Sequence, residues 1–145
     1  MCIVFSSTEL FNITATADDH VFVYDVDGNI LLSSFGWWAT ETVTYDADPC
    51  VLALQAVDYG EGCGLLASTS TGVVTDDNWK CSSSLIPVWY RASFDDSGWD
   101  NARVIAVHGG GPWGVRSDIS LEANWIWADV TPTTGTTSYC RKRLC

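Results

Sequence analysis

Hydrophobic and polar positions in this chain alternate over short stretches and almost never follow the spacing of a helix. Alternation with period two puts successive side chains on opposite faces of a strand. The pattern is clearest in His20-Val21-Phe22-Val23-Tyr24-Asp25, which runs into Asp27-Gly28-Asn29. An alternating run that ends in Asp-Gly predicts a hairpin, because these residues accept the backbone angles of a tight turn. The same reading gives strands near 9–15, 20–25, 30–34, 41–45, 51–57, 64–70, 88–91, 103–107, 125–127 and 138–143. Val51-Leu-Ala-Leu-Gln-Ala-Val57 and Gly64-Leu-Leu-Ala-Ser68 read as neighbouring core strands, joined by the turn Asp58-Tyr-Gly-Glu-Gly62.

Between the strands lie segments with turn chemistry. Asp95-Asp96-Ser97-Gly98-Trp99 is a turn, because Asp and Ser side chains bond nearby backbone N–H groups. Gly109-Gly-Gly-Pro-Trp113-Gly114 is a flexible loop, and it lacks the Gly-Lys-Ser/Thr ending of a phosphate loop. The Thr-rich stretch 131–138 is a polar bridge before a C-terminal strand, and a candidate carrier of O-linked sugar. No internal repeat stands out. The expectation is one all-β domain over 1–145, an antiparallel β-sandwich.

Composition narrows the setting. With 47% hydrophobic and 17% charged residues, the chain is neither a disordered tail nor a coiled coil. A net charge of -11 opposes binding to a nucleic-acid backbone, which requires clustered Lys and Arg. Arg141-Lys142-Arg143, the one basic cluster, reads as a solvated terminal strand. No apolar run is long enough to span a membrane.

The six cysteines, Cys2, Cys50, Cys63, Cys81, Cys140 and Cys145, include no Cys-x-x-Cys pair, and His20 and His108 stand apart. This argues for disulfides in an oxidising, extracellular compartment rather than a zinc site, with several connectivities open. Cys2 and Cys145 are placed either to clamp the termini together or to link one subunit to the next. Residues 1–5 lack the features of a secretory signal, so the chain is expected to be a processed or excised part of a longer precursor. Asn12-Ile13-Thr14 is an N-glycosylation sequon.

Three segments carry a family resemblance. They are Thr16-Ala-Asp-Asp19 with Val23-Tyr-Asp-Val-Asp-Gly28, Ser93-Phe-Asp-Asp-Ser-Gly-Trp-Asp-Asn-Ala102, and Ala123-Asn-Trp-Ile-Trp-Ala128. Together they resemble the galactose-binding-domain-like jelly rolls of lectins, carbohydrate-binding modules and glycoside-hydrolase accessory domains. The resemblance implies an antiparallel sandwich of eight to ten strands with its chain ends near each other. It does not by itself imply a ligand. Paired aspartates also occur in PA14-type adhesins, another β-sandwich family, where they hold calcium that contacts sugar.

Candidate contact residues follow from chemistry. The eight tryptophans are many for this length. Trp79, Trp99, Trp125 and Trp127 read as packing residues. Trp37 and Trp38 are consecutive, so at most one faces a core, and Trp113 sits in the glycine-rich loop. Exposed aromatics stack on sugar C–H groups or anchor protein interfaces. The expected contacts are therefore Trp37, Trp38, Trp113 and His108. Asp18 and Asp19 are the candidate calcium ligands, with Asp25, Asp27, Asp46 and Asp48 nearby in sequence. Nothing marks the carboxylate pair of a glycosidase or an activated nucleophile. The sequence thus points to a secreted, non-enzymatic, lectin-like protein with a glycan or glycoprotein partner. The alternative is a structural subunit of an extracellular glycosylated filament, coat or matrix, which binds further copies of itself.

Overall fold

The structure, a computed structural model, describes residues 10–60, 62–128 and 136–145. Cys2, the start of the chain and most of the Thr-rich stretch lie outside these residues. Among the described residues eleven strands form: β1 (Asn12–Asp18), β2 (His20–Tyr24), β3 (Ile30–Phe35), β4 (Glu41–Thr44), β5 (Val51–Val57), β6 (Gly64–Thr69), β7 (Lys80–Ser82), β8 (Asp100–Asn101), β9 (Arg103–Val107), β10 (Asn124–Trp127) and β11 (Thr137–Arg143). They build two antiparallel sheets, ordered β4-β1-β6-β10-β9 and β3-β2-β5-β11-β7-β8. The all-β sandwich is as expected, with no helix among the described residues.

The main core lies between the sheets. Ile13, Ala15 and Ala17 of β1 and Leu65 and Ala67 of β6 meet Val21, Val23, Leu52, Leu54 and Ala56 of β2 and β5. Two smaller clusters cover the outer faces. Leu66 and Trp125 pack with Trp113, Ile119 and Ala123 on one side. On the other, Ala53 and Tyr139 pack with Trp89 and Trp99. β5 and β6 are therefore buried on both faces, which explains why their apolar runs barely alternate.

That double burial corrects the expected pairing of β5 with β6. They stand in opposite sheets, β5 between β2 and β11 and β6 between β1 and β10. The segment after Val57 crosses between sheets rather than closing a hairpin. The predicted strand at 88–91 is also absent. Val88 takes φ +58, Arg91 N–H bonds to the Val88 carbonyl, and the chain curls so that Trp89 is buried. β7 and β8, too short to show alternation, occupy that part of the second sheet.

The β2–β3 hairpin forms as expected. Asp25 accepts N–H bonds from Asp27 and Asn29, and Gly28 takes φ +87. Behind the main core, Asp96 pairs with Arg141, whose side chain is fully buried beneath Phe94 and also donates to the Arg91 carbonyl. Arg141 is thus an internal strut and not a solvated residue, and Asp96 in its Asp-Asp-Ser turn is the partner that makes its burial tolerable.

Two disulfides form among the described residues, Cys50–Cys145 and Cys81–Cys140. Cys145 is therefore committed within the chain and does not link subunits. Cys63 is buried without a disulfide partner among the described residues. Asn12 of the sequon is half-buried at the start of β1, with its backbone N–H bonded to Ser70 Oγ.

Candidate functional site

Asp18 and Asp19 sit where the chain leaves β1 in one sheet and enters β2 in the other. Backbone bonds fix this crossing. Asp19 N–H donates to the Val57 carbonyl at 2.8 Å, and Gly36 N–H donates to the Asp19 carbonyl. The ends of β1, β3 and β5 and the start of β2 therefore converge at one edge of the sandwich.

Three large aromatic rings stand exposed there. Phe35, Trp38 and Tyr59 are 56%, 58% and 57% exposed, values high enough to leave a ring face open to a ligand. The Phe35 ring centroid lies 6.1 Å from that of Trp38 and 6.3 Å from that of Tyr59. His20 lies edge-on to Phe35 at 5.9 Å, stacks on Phe22, and shares a hydrogen bond with Ser33 Oγ through Nε2. Burial pushes the His20 imidazole below its ordinary value.

Local constraints hold the rings in place. Gly36 adopts φ +100, and a Cβ there would meet the Trp38 indole at 2.4 Å. Only glycine lets the Trp38 ring fold back over the backbone. Arg116 braces the same turn, donating to the Trp38 carbonyl and covering the Trp37 ring at 5.5 Å. Tyr59 N–H donates to Asp19 Oδ2 at 2.7 Å, which ties the third ring to the acidic crossing.

Beneath the rings lies an unusually acidic interior. Asp18 and Asp58 are buried. Burial, with Asp19 and Asp58 adding to it, raises Asp18 to about 6, against the opposing hydrogen bond from Trp113. Asp58 is raised chiefly by burial, despite the bond from Gly60 N–H. The Cys63 thiol is pushed up to about 12 by burial and by Asp58 and Asp18. It is an inert side chain at neutral pH.

The sequence-predicted contacts divide. Trp38 is exposed and Trp37 is half-buried under Arg116. Trp113 is only 4% exposed, which overturns its expected role as a surface contact. Its ring stacks on Trp125 at 4.3 Å, and its indole N–H donates to Asp18 Oδ2 at 2.9 Å. The glycine-rich loop curls inward and delivers this ring to the sheet. His108 is likewise internal. Its Nδ1 pairs with the Ser120 carbonyl and its Nε2 with the Arg116 N–H. A carbonyl only accepts and an amide N–H only donates, so the ring is the neutral Nδ1–H tautomer with both nitrogens spent.

The expected calcium ligands find no converging set. Among the described residues, no three His, Cys, Asp or Glu side chains come together with metal-site spacing. Asp18 Oδ2 and Asp19 Oδ2 already accept N–H bonds.

Phe35 and Tyr59 were missed by sequence reasoning. A signal existed for Phe35: Leu32 and Ser34 face inward along β3, so Phe35 falls on the outward phase. Tyr59, flanked by Asp58 and Gly60, is a large aromatic in a turn.

No protein-family model matches the chain, and no solved structure matches it. One curated protein does, an α-L-rhamnosidase of Streptomyces avermitilis, 39% identical over 132 residues. The match takes in 77% of this chain and only 13% of the relative, so the chain spans a small part of that protein's length.

Proposed function

We propose that this chain is a secreted, non-enzymatic carbohydrate-binding module with a jelly-roll, galactose-binding-like sandwich. The observation that carries the reading is the exposed row Trp38, Phe35 and Tyr59 beside Asp19 and His20. Flat apolar rings next to hydrogen-bonding groups suit a sugar, which has apolar C–H faces and a polar rim. Support comes from the similarity to a segment of a glycoside hydrolase, since a two-sheet β-structure covering 13% of such a protein fits an accessory sandwich. The two disulfides agree with an oxidising compartment. In addition, no helix among the described residues is long and apolar enough to cross a membrane.

The test is titration against neutral glycans, α-L-rhamnosides included, with one arm containing calcium and one containing chelator. Trp38→Ala and Phe35→Ala should each weaken binding by roughly five- to thirtyfold, while unfolding midpoints stay near the parent's because both rings are exposed. Binding that survives the double substitution would sink the assignment of this surface. Glycan-independent self-association, lost on the same substitutions, would instead favour a structural subunit.

A further inference from the structure

Trp38 belongs to the aromatic row and also forms one wall of a polar cleft of about 220 Å³, completed by Thr40, Val115, Arg116, Ser117 and Asp118. The cleft is smaller than a pocket that encloses a whole ligand. It has room for one polar edge of a sugar whose ring lies on Trp38.

Arg116 is the informative residue. It is half-buried and fixed from several sides. Its backbone N–H donates to His108 Nε2 at 2.8 Å, and its guanidinium lies over the Trp37 ring. Nη1 donates to the Trp38 carbonyl at 3.3 Å and Nη2 to the Trp113 carbonyl at 3.1 Å. Nε is sealed inside without an acceptor and offers nothing to the cleft. Each Nη carries two N–H groups. One on each is spent on a carbonyl, which leaves one on each for a ligand. No carboxylate neutralises this charge among the described residues, where the ion pair is Arg141 with Asp96. A cation partly withdrawn from water and held by neutral carbonyls gains from an anion.

Asp118 lines the same cleft without pairing to Arg116. Its Oδ2 accepts the Thr40 hydroxyl at 2.9 Å, and its other oxygen can accept from a sugar hydroxyl. The cleft thus holds a cationic donor and an anionic acceptor kept apart, beside an exposed flat ring. A simple inorganic anion would use Arg116 alone. Trp38 adds a demand for an apolar C–H face, and Asp118 and Ser117 add a demand for hydroxyls. A hexuronate carries all three features on one ring.

We propose that this cleft selects a hexuronic acid among the sugars stacked on the aromatic row, its carboxylate held by Arg116 and its hydroxyls by Asp118 and Ser117. The inference rests on the aromatic row being the glycan surface, and it names the class of sugar that surface takes.

The probes are methyl glucuronide and methyl galacturonide, each titrated beside its methyl ester and followed by amide NMR shifts on the intact chain. The ester keeps the ring and hydroxyls and lacks the charge. At neutral pH and low salt, at least one acid should bind about three- to tenfold more tightly than its ester. Its shifts should include Trp38, Arg116 and Ser117. Added salt should narrow the ratio. Arg116→Gln should bring the ratio to about one. Asp118→Asn should raise it by about twofold, because a like charge is removed from the cleft. The ratio compares two ligands on one protein, so any loosening of the Trp38 turn in Arg116→Gln cancels. If that variant fails to fold, Asp118→Asn and the salt dependence still decide. Trp38→Ala should weaken acid and ester alike. Equal binding of acid and ester, with both weakened by Trp38→Ala, would overturn the inference and leave the glycan surface standing. A ratio unchanged in both Arg116→Gln and Asp118→Asn would place the carboxylate elsewhere and overturn it too. If neither these sugars nor any neutral glycan binds, the surface itself falls, and the inference with it.

Discussion

Asp18→Asn isolates one buried charge and predicts a stability profile. In the unfolded chain the Asp18 carboxyl titrates near 3.8; in the fold, burial and the neighbouring Asp19 and Asp58 carry it to about 6. Between those values the folded protein holds a proton that the unfolded chain releases. Stability therefore falls as pH rises across this window. The contribution is fully present below about 3.8 and gone above about 6. An interval of about two pH units corresponds to about 3 kcal/mol. Asparagine keeps an oxygen for the Trp113 indole N–H but carries no charge. Urea unfolding, followed by far-UV circular dichroism at several values from pH 4 to pH 7, measures the difference. The variant should match the parent near pH 4 and exceed it by about 1–3 kcal/mol at pH 7. A smaller slope should persist from Asp58, which is raised in the same direction. A variant less stable than the parent at pH 7, or one with the parent's full slope, would refute the reasoning.

Further outcomes follow from the packing. Trp113→Ala should destabilise by about 3–5 kcal/mol in urea unfolding, whereas Trp113→Phe, which keeps a ring but loses the bond to Asp18, should cost about 1–3 kcal/mol. Asp96→Ala strands the buried Arg141 guanidinium and should cost about 3 kcal/mol, near the low end for a broken buried pair because Asp96 keeps 18% exposure. Adding Arg141→Met should recover much of that loss. Replacing Cys81 and Cys140 by serine opens a link between residues 59 apart. The chain-entropy model sets the cost at about 4 kcal/mol, measured as a shift in the urea midpoint.

What could be read in advance depended on whether a segment's neighbours were local. The β2–β3 hairpin was legible because Asp25, Gly28 and Asn29 settle the turn among themselves. β5 matched its expected bounds, since a run of Val, Leu and Ala leaves few alternatives. The sheet to which β5 belongs was not legible, because strand partners are chosen across the core by residues far away in sequence. Trp113 shows the same limit. A ring among glycines reads as a loop decoration, and only the distant Asp18 and Trp125 turn it into a core residue. At the aromatic edge, Trp38 could be nominated from its neighbour Trp37. Tyr59 could not be placed beside Phe35, since their meeting depends on the bond between Tyr59 N–H and Asp19.

The position of β11 has a consequence for biogenesis. This strand lies between β5 and β7, with seven register partners on one side and three on the other. During synthesis β5 and β7 both emerge before it, and the second sheet stays split into halves until it arrives. Both disulfides also wait for it, since Cys140 and Cys145 come with β11 and the residues just after it. Until then Cys50 and Cys81 are thiols whose native partners do not yet exist, with Cys63 already present between them in the chain. Any bond among them is a mistake to be undone, so the yield of native protein should respond to a disulfide isomerase more than to a chaperone that merely shields apolar surface.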